Sequence, residues 1–460
     1  MDTCHIKVES IKGNGRGLVA TKDFKPGDTV LVEKPYAFCL SRSYEGNRCD
    51  YCFSNKEDLR RCSQCKHQRY CNTICQKAAW NLHKHECKNL LKLTTNAFTL
   101  RPEAILLLTR LLRKIEIEKK EGRQPEKTDG FPQSINHLIE IYELWDEQQK
   151  VRCEFERRQL ELFLGKKIIK QEFNQLASRV YCNALFIAGP NTDALGPGIY
   201  LKASLINNSC DFNSITVYDG TTLSLRATRP IIKGQEITIS YLSPLQPSNI
   251  RRKMLQEKYG FNCTCPRCEN KEVDAKMQSI VCEKCKGQIL RKKYKTFMKC
   301  SVCDQLPSQK HVSAILAIET ESIIFVEETI KLQPISDRQF AYALDLSRRQ
   351  KCFLHRLHYL RAKTFDRVGH ILINMNNFKD GIPMLEEVIL TYESLYPPYQ
   401  PLIGIYCERL AVVYMQVLRF EEARKRLIQA LAALKITHGE GHPFYRETSK
   451  TLQGVVWTLS

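Results

Sequence analysis

The sequence has no apolar run of the eighteen or so residues that a bilayer span requires. Its best stretch, Ala104 to Leu112, is interrupted by Thr109 and Arg110. The start, Met1-Asp2-Thr3-Cys4-His5, lacks a basic head followed by an apolar segment, so no secretory leader is expected. Glycine and proline are sparse, 21 and 18 among 460 residues, and with 43% apolar residues this excludes a collagen-like or mainly disordered chain. Acidic residues are short as well: 50 Asp and Glu face 70 Lys and Arg, a formal charge of +20 that is compatible with acidic partners or nucleic acid. The expectation is a soluble intracellular protein of roughly two to four domains with no membrane contact.

What is abundant is cysteine, with 21 copies, and in a reducing compartment grouped cysteines usually bind metal. Cys49-x-x-Cys52, Cys62-x-x-Cys65, Cys71-x-x-x-Cys75 and His83-x-x-x-Cys87 supply eight soft ligands within 39 residues. Zinc takes four such ligands tetrahedrally, so eight mean two ions, both structural because no position is left open for water. A disulfide knot is the alternative, and the lack of a leader argues against it. Cys282-x-x-Cys285 and Cys300-x-x-Cys303 make a complete four-thiolate ribbon. Between them Arg291, Lys292, Lys293 and Lys295, with Tyr294 and Phe297, read as a basic hairpin tip. That tip is either a surface for nucleic acid or an acidic protein, or simply a solvated hairpin. Cys263-x-Cys265-x-x-Cys268 offers three ligands and needs a fourth from elsewhere.

Around these groups the pattern alternates between strand and helix. Gly13 to Gly17 reads as a flexible loop, Pro26-Gly27-Asp28 as a turn and Thr29 to Val32 as a strand. From about 95 to 182 the period is helical, with Leu138, Ile141 and Leu144 on one face and a long stretch from Trp145 to Tyr181. The charged run near Lys119 and Gly130-Phe131-Pro132 read as loops between helices. Ser214 to Tyr218 and Thr222 to Leu225, joined at Asp219-Gly220, read as a hairpin, and Ile231 to Tyr241 as a strand with Ile237, Ile239 and Tyr241 alternating inward. In the C-terminal third Phe378, Leu385 and Tyr396 recur as Phe420, Leu427 and His438, a spacing of 42 residues. This reads as stacked helix-turn-helix repeats, or as two ordinary helical hairpins with coincident aromatics.

Four of these features together carry a resemblance. Gly15-x-Gly17, the run Asn207-Asn208-Ser209-Cys210-Asp211, the strand from Gly234 to Tyr241 and the 263–268 cysteines resemble the SET domain of protein lysine methyltransferases. With the cysteine block at 49–87, which resembles a MYND finger, and a helical C-terminus, nearly the whole chain is similar to the SET-and-MYND (SMYD) family. The implied fold is α+β: a β-rich SET domain carrying an inserted MYND zinc finger and a helical insertion, a post-SET zinc site, an extra zinc ribbon, and a C-terminal tetratricopeptide-like helical domain. The expected divisions are 1–48 for the SET N-terminal part, 49–87 for the finger, 88–182 for the helical linker and insertion, and 183–245 for the SET core. The post-SET segment follows at 246–270, the ribbon at 278–306 and the helical domain at 308–460.

The resemblance also implies roles. Gly15, Arg16 and Gly17 would approach S-adenosylmethionine, Asn183, Asn207 and Asn208 would contact it, and Phe261 would pack on its adenine. Tyr241, which would also lie beside the cofactor, and Tyr259 would line the lysine channel. In the finger, alternate pairs would share an ion, Cys49, Cys52, Cys71 and Cys75 on one and Cys62, Cys65, His83 and Cys87 on the other. Cys210 would complete the site of Cys263, Cys265 and Cys268. With Cys282, Cys285, Cys300 and Cys303 this makes four structural zinc ions, and fifteen thiolates on four Zn²⁺ would lower the formal charge to roughly +13. Taken without the family, Tyr241 is an inward-facing core tyrosine. Two positions depart from the pattern: Asn208 stands where the family usually has histidine, and Leu185 where an aromatic is common. The implied function is S-adenosylmethionine-dependent methylation of a lysine on a histone tail or cytosolic protein, by a monomer in cytoplasm and nucleus. The alternative is a SET/MYND scaffold of little activity that recruits chromatin or chaperone partners. The finger would take a proline-rich peptide, with Gln76 and Trp80 as its groove or as its small core, and the helical domain a chaperone or other peptide.

Overall fold

The structure, a computed structural model, describes residues 5–91, 102–121, 130–189, 193–293, 295–331 and 336–460. The readings on Met1 to Cys4 and on Tyr294 lie outside them. The chain divides into two compact units: Met1–Ile239 with Met254–Asn262, and Ser240–Lys253 with Cys263–Ser460.

The first unit is built on short sheets. One runs in the order Ile6–Ile11, Gly15–Ala20, Glu236–Ile239, Asn207–Asn208, with the last pair parallel and the others antiparallel. A second has Ser214–Asp219, Thr222–Ala227 and Thr29–Glu33, and its hairpin register pairs Asp219 with Thr222. A third has Ala37–Phe38, Ala194–Ile199 and Leu185–Ala188. The front loop is shorter than its glycines indicate. Only Lys12 to Asn14 form the turn, and Gly15 to Gly17 already pair with Ile11, Ser10 and Glu9. The inward strand near 241 is shorter too: it stops at Ile239, and Tyr241 sits in a bend beyond it.

Helices Pro102–Lys120, Glu147–Leu164 and Lys170–Asn183 cover this framework. Ile105, Leu108, Leu111, Leu160, Phe163 and Phe173 are buried among them. Glu147–Leu164 starts in a capping box made by Asp146 and Gln149 and stops at Gly165, which has φ +68°. Two expectations fail in this region. Lys119 and Lys120 belong to the last turn of the first helix, where cations suit the carbonyl end of the helix dipole. Leu138, Ile141 and Leu144 do not share a helix face, because only short 3-10 turns form at Ile135–His137 and Tyr142–Leu144. The Ile141 amide donates instead to Ser178 Oγ at 2.7 Å, so a tertiary bond replaces the intrahelical one.

Among its described residues the second unit carries two small hairpin pairs, Ile280–Val281 with Gln288–Ile289 and Arg291–Lys293 with Thr296–Phe297, ahead of seven helices. The repeat is real at the level of backbone. Helix pair Tyr359–Asn374 and Phe378–Leu395 is followed 42 residues on by Pro401–Gln416 and Phe420–Thr437. The turns match as well: Asn376 and Leu418 have φ +59° and +60°. The amides of Asn377 and Arg419 each donate to the carbonyl five residues back, both at 2.9 Å. Glycine or asparagine suits a left-handed turn, whereas a leucine there opposes its own Cβ. Leu418 is also 75% exposed, so it gains little from burial. Leu418→Gly is therefore expected to stabilise the second unit by about 0.5–1 kcal/mol, and Leu418→Val to destabilise it, both read from thermal unfolding midpoints.

Candidate active site and metal centres

The metal centres begin with four copies of one backbone device. Among the described residues, six non-glycines have positive φ, and four of them follow the second cysteine of a C-x-x-C: Phe53, Lys66, Lys286 and Asp304. Each donates its amide to the carbonyl of the first cysteine, at 3.0, 3.0, 3.1 and 3.1 Å. This left-handed knuckle turns both thiols of a pair toward one point, at a conformational cost of about 1–2 kcal/mol each. Metal binding is what can offset such a cost.

The thiols meet accordingly. Cys49, Cys52, Cys71 and Cys75 form one group, Cys62, Cys65, His83 and Cys87 a second, and Cys282, Cys285, Cys300 and Cys303 a third, each with ligand atoms within 4.8 Å of one another. Individual sulfur separations are 3.5 Å for Cys52 and Cys71, 3.8 Å for Cys62 and Cys87, 3.7 Å for Cys282 and Cys303, and 3.4 Å for Cys285 and Cys300. Zinc–sulfur bonds of about 2.3 Å give a tetrahedral edge of about 3.8 Å, while a disulfide needs about 2.05 Å. The donor sets thus fit zinc, and every described cysteine is a free thiol. In the second unit Cys263, Cys265 and Cys268 also converge within 4.8 Å. Arg251, fully buried, donates to Cys268 Sγ at 3.3 Å, and Arg252 to the Cys263 carbonyl at 2.8 Å. Cys210 is buried beyond the strand Asn207–Asn208 of the first unit.

One residue packed against the finger's ligands escaped the sequence reading. Glu86 is completely buried and takes Arg110 on both oxygens, at 2.6 and 3.0 Å, and Gln68 at 2.9 Å. Its oxygen lies 3.6 Å from His83 Nδ1, the arrangement by which a carboxylate orients a ligating imidazole. Burial pushes the Glu86 carboxyl up, but Arg110 and His83 outweigh it and hold the group below its usual range. The only signal in the sequence was a glutamate three residues after a candidate histidine ligand. Trp80, 43% exposed, and half-buried Gln76 lie on the helix Thr73–His83, with Trp80 6.0 Å from the His83 ring.

The non-metal site is assembled from three distant segments. Asn207 Nδ2 donates to the Arg16 carbonyl at 3.2 Å and to Glu236 Oε1 at 2.8 Å. A Cβ on Gly17 would stand 2.7 Å from Ile11, 2.8 Å from Asn207 and 2.9 Å from Glu236, so only glycine fits beneath that pair. Gly15, with φ +72°, borders open space instead, which leaves its backbone accessible to a ligand. Arg16 reaches the His137 carbonyl at 2.6 Å. Asn208, half-buried, pairs with Ile239. Another residue missed earlier, buried Asn213, clamps the central strand. Its amide donates to the Glu236 carbonyl at 2.8 Å and its oxygen accepts the Thr238 N–H at 2.9 Å.

Asn183, at the end of the helix Lys170–Asn183, is held by its own side-chain amide. Its Nδ2 donates to the Ile139 and Arg179 carbonyls at 2.9 and 2.8 Å. Both amide protons are thereby used, and the carbonyl oxygen is what it can offer a ligand. Nearby in the first unit, the Tyr259 and Phe261 rings are 6.3 Å apart and Tyr181 stacks edge-on to Trp145 at 5.4 Å. Lys258 Nζ lies 4.9 Å from the Tyr259 ring and 6.0 Å from that of Tyr181. Burial, then Cys182 and Tyr181, raise the Tyr259 hydroxyl well above its usual range, so it stays a neutral phenol, while burial lowers the Lys258 ammonium. Half-buried Leu185 opens the strand Leu185–Ala188. Half-buried Tyr241 belongs to the second unit.

Comparison with known proteins assigns this architecture. The SET domain family matches residues 15–242, so the chain is a SET-domain protein. It is 28% identical to the histone-lysine N-methyltransferase ASHR1 of Arabidopsis thaliana, over 98% of this chain and 95% of that one. It is 26% identical to the N-lysine methyltransferase SMYD2 of Homo sapiens over 96% of each, and 27% to the histone-lysine N-methyltransferase SMYD3 of Mus musculus over 96% and 95%. The chain belongs to the SET-and-MYND family, and its fold is α+β.

Two outcomes are expected. Glu86→Ala strands Arg110 as an uncompensated buried charge and should cost about 3–5 kcal/mol, with loss of finger zinc, read by metal analysis and thermal melting. Gly17→Ala forces its three neighbours apart and should cost about 1–3 kcal/mol, checked by denaturant unfolding.

Proposed function

We propose that the chain is a protein-lysine N-methyltransferase that uses S-adenosylmethionine. The observation that carries this reading is the Asn207 side chain bridging the front strand and the strand at 236–239 in a SET-domain protein. Bound S-adenosylmethionine would supply an electrophilic methyl group. Gly15, Arg16 and Gly17 would hold it at the start of their strand, where Gly15 and Arg16 are exposed, with Asn207 and Asn208 beneath, the Asn183 oxygen as a further acceptor and Phe261 against its adenine. Cys210 would complete the zinc set of Cys263, Cys265 and Cys268, tying the two stretches of chain that carry these groups.

A lysine amine has a pKa of about 10.4 in water, so the substrate must shed a proton before it can attack. Desolvation among aromatic side chains disfavours the ammonium, and the neutral phenol of Tyr259 adds no negative charge to oppose that. Tyr241 would orient the amine through its hydroxyl. Catalysis on this reading is alignment and fixed dipoles rather than a strong base.

The substrate is a protein lysine, on a histone tail or a cytosolic protein, with activity in both cytoplasm and nucleus as a monomer. Residues 1–48 and 183–245 form the SET core, with the segment 88–182 as its helical linker and insertion. Residues 246–270 provide the post-SET tie, 278–306 the ribbon, and 49–87 and 308–460 the finger and helical domain that dock partners. For the finger the partner is a proline-rich peptide, supported by the exposed Trp80 indole beside buried His83. For the helical domain it is a chaperone or peptide.

A scaffold of low activity is favoured by one observation, that both Asn183 amide protons are already engaged. Calorimetry separates the two readings: the enzyme should bind S-adenosylmethionine with a micromolar or tighter dissociation constant. Purified wild type should transfer labelled methyl groups to lysines of a proteome extract, with Tyr241→Phe reduced at least tenfold. Equal labelling by the two proteins, or none by either, would sink the assignment.

A further inference from the structure

The zinc ribbon takes no part in the methyl transfer described above, and its two faces differ sharply. Ile280, Cys282, Ile289, Phe297 and Cys300 point into the core of the second unit. His311 Nε2 meets the Val281 carbonyl at 2.8 Å, and the His355 amide meets the Ser279 carbonyl at 3.1 Å, which fixes the ribbon on its helices. Away from that core Lys284, Lys286, Lys292, Lys293, Lys295 and Lys299 are all exposed. Only two carboxylates lie between residues 280 and 304, and both are engaged. Glu283 accepts from Ser308 N and Oγ at 2.8 and 3.0 Å, and Asp304 pairs with Lys299 at 2.7 Å.

Arg291 departs from its expected place in the basic tip. It is buried, lies 4.6 Å over the Phe297 ring, and pairs with Glu319, which also meets His358 Nε2 at 3.0 Å. The reason is geometric: the guanidinium fork matches a carboxylate and a ring face, so the fold uses it as an internal anchor. The exposed cations that remain on the ribbon are all lysines, each a compact point charge.

We propose that this lysine face binds the phosphate backbone of duplex nucleic acid without reading sequence. An ammonium is a compact point charge that serves a phosphate well without needing bidentate geometry. The whole molecule is basic, so the distinguishing feature is locality: the effect belongs to the ribbon and not to the overall charge.

The test uses full-length protein and a fluorescently labelled random-sequence 25-base-pair DNA, followed by anisotropy from 50 to 200 mM salt. With about three to five phosphates contacted, log affinity should fall against log salt with a slope of roughly −3 to −4.5. The triple variant Lys292→Glu, Lys293→Glu, Lys295→Glu should lose at least tenfold in affinity and retain four zinc ions and methyl transfer. A control reversing Lys119, Lys166 and Lys167 should lose less than threefold. Equal losses in the two variants would overturn the proposal, as would absence of duplex binding at 50 mM salt. Binding of a polyglutamate peptide in preference to the duplex would do the same, because it would mark the face as a site for acidic protein.

Discussion

The constraint on which the site depends is the space above Gly17. Asn207 can bond both the Arg16 carbonyl and Glu236 only because nothing projects from residue 17. That bridge brings together segments separated by about 190 residues of sequence, and the parallel pairing of Asn207 and Asn208 with Thr238 and Ile239 runs directly from it. Asn213 then clamps the same central strand from its other side. The site is therefore a product of backbone pairing and side-chain amides, with no single element long enough to form it alone.

The zinc centres solve a different problem with one repeated device. In the finger and the ribbon each C-x-x-C pair ends in a left-handed residue whose amide returns to the first cysteine, a device that Cys265-x-x-Cys268 does not share. Small modules of this kind bury too little apolar area to stand on packing alone, so metal supplies the folding energy. The finger adds a buried charge pair, Glu86 with Arg110, that ties it to the helix Pro102–Lys120. Such a pair contributes specificity of placement more than net stability, since desolvating two charges opposes their attraction.

Much of this was legible in the residues. Ligand spacing is local, so the cysteine sets were readable from chemistry and family pattern, and the hairpin at 214–227 from its turn. The 42-residue repeat was legible because stacked helical pairs re-use the same positions, down to a left-handed turn at Asn376 and Leu418. Less local features were misread. Arg291 looked like a surface cation because its partner Glu319 is 28 residues away. The bond from Asn183 Nδ2 to the Ile139 carbonyl was equally invisible, because nothing nearby in sequence announces a partner 44 residues distant.

By itself the sequence determined which atoms could hold metal, where the chain alternates between strand and helix, and which family it belongs to, since each follows from residue type and short spacing. Only the tertiary structure decided which polar side chains are spent internally. Glu86, Asn213, Asn183 and Arg291 all find partners through pairing between segments far apart in the chain, and burial compels each to be satisfied by whatever the fold brings beside it. The physical reason is that a hydrogen bond or ion pair is a matter of ångströms, and distance along the chain does not fix distance in space.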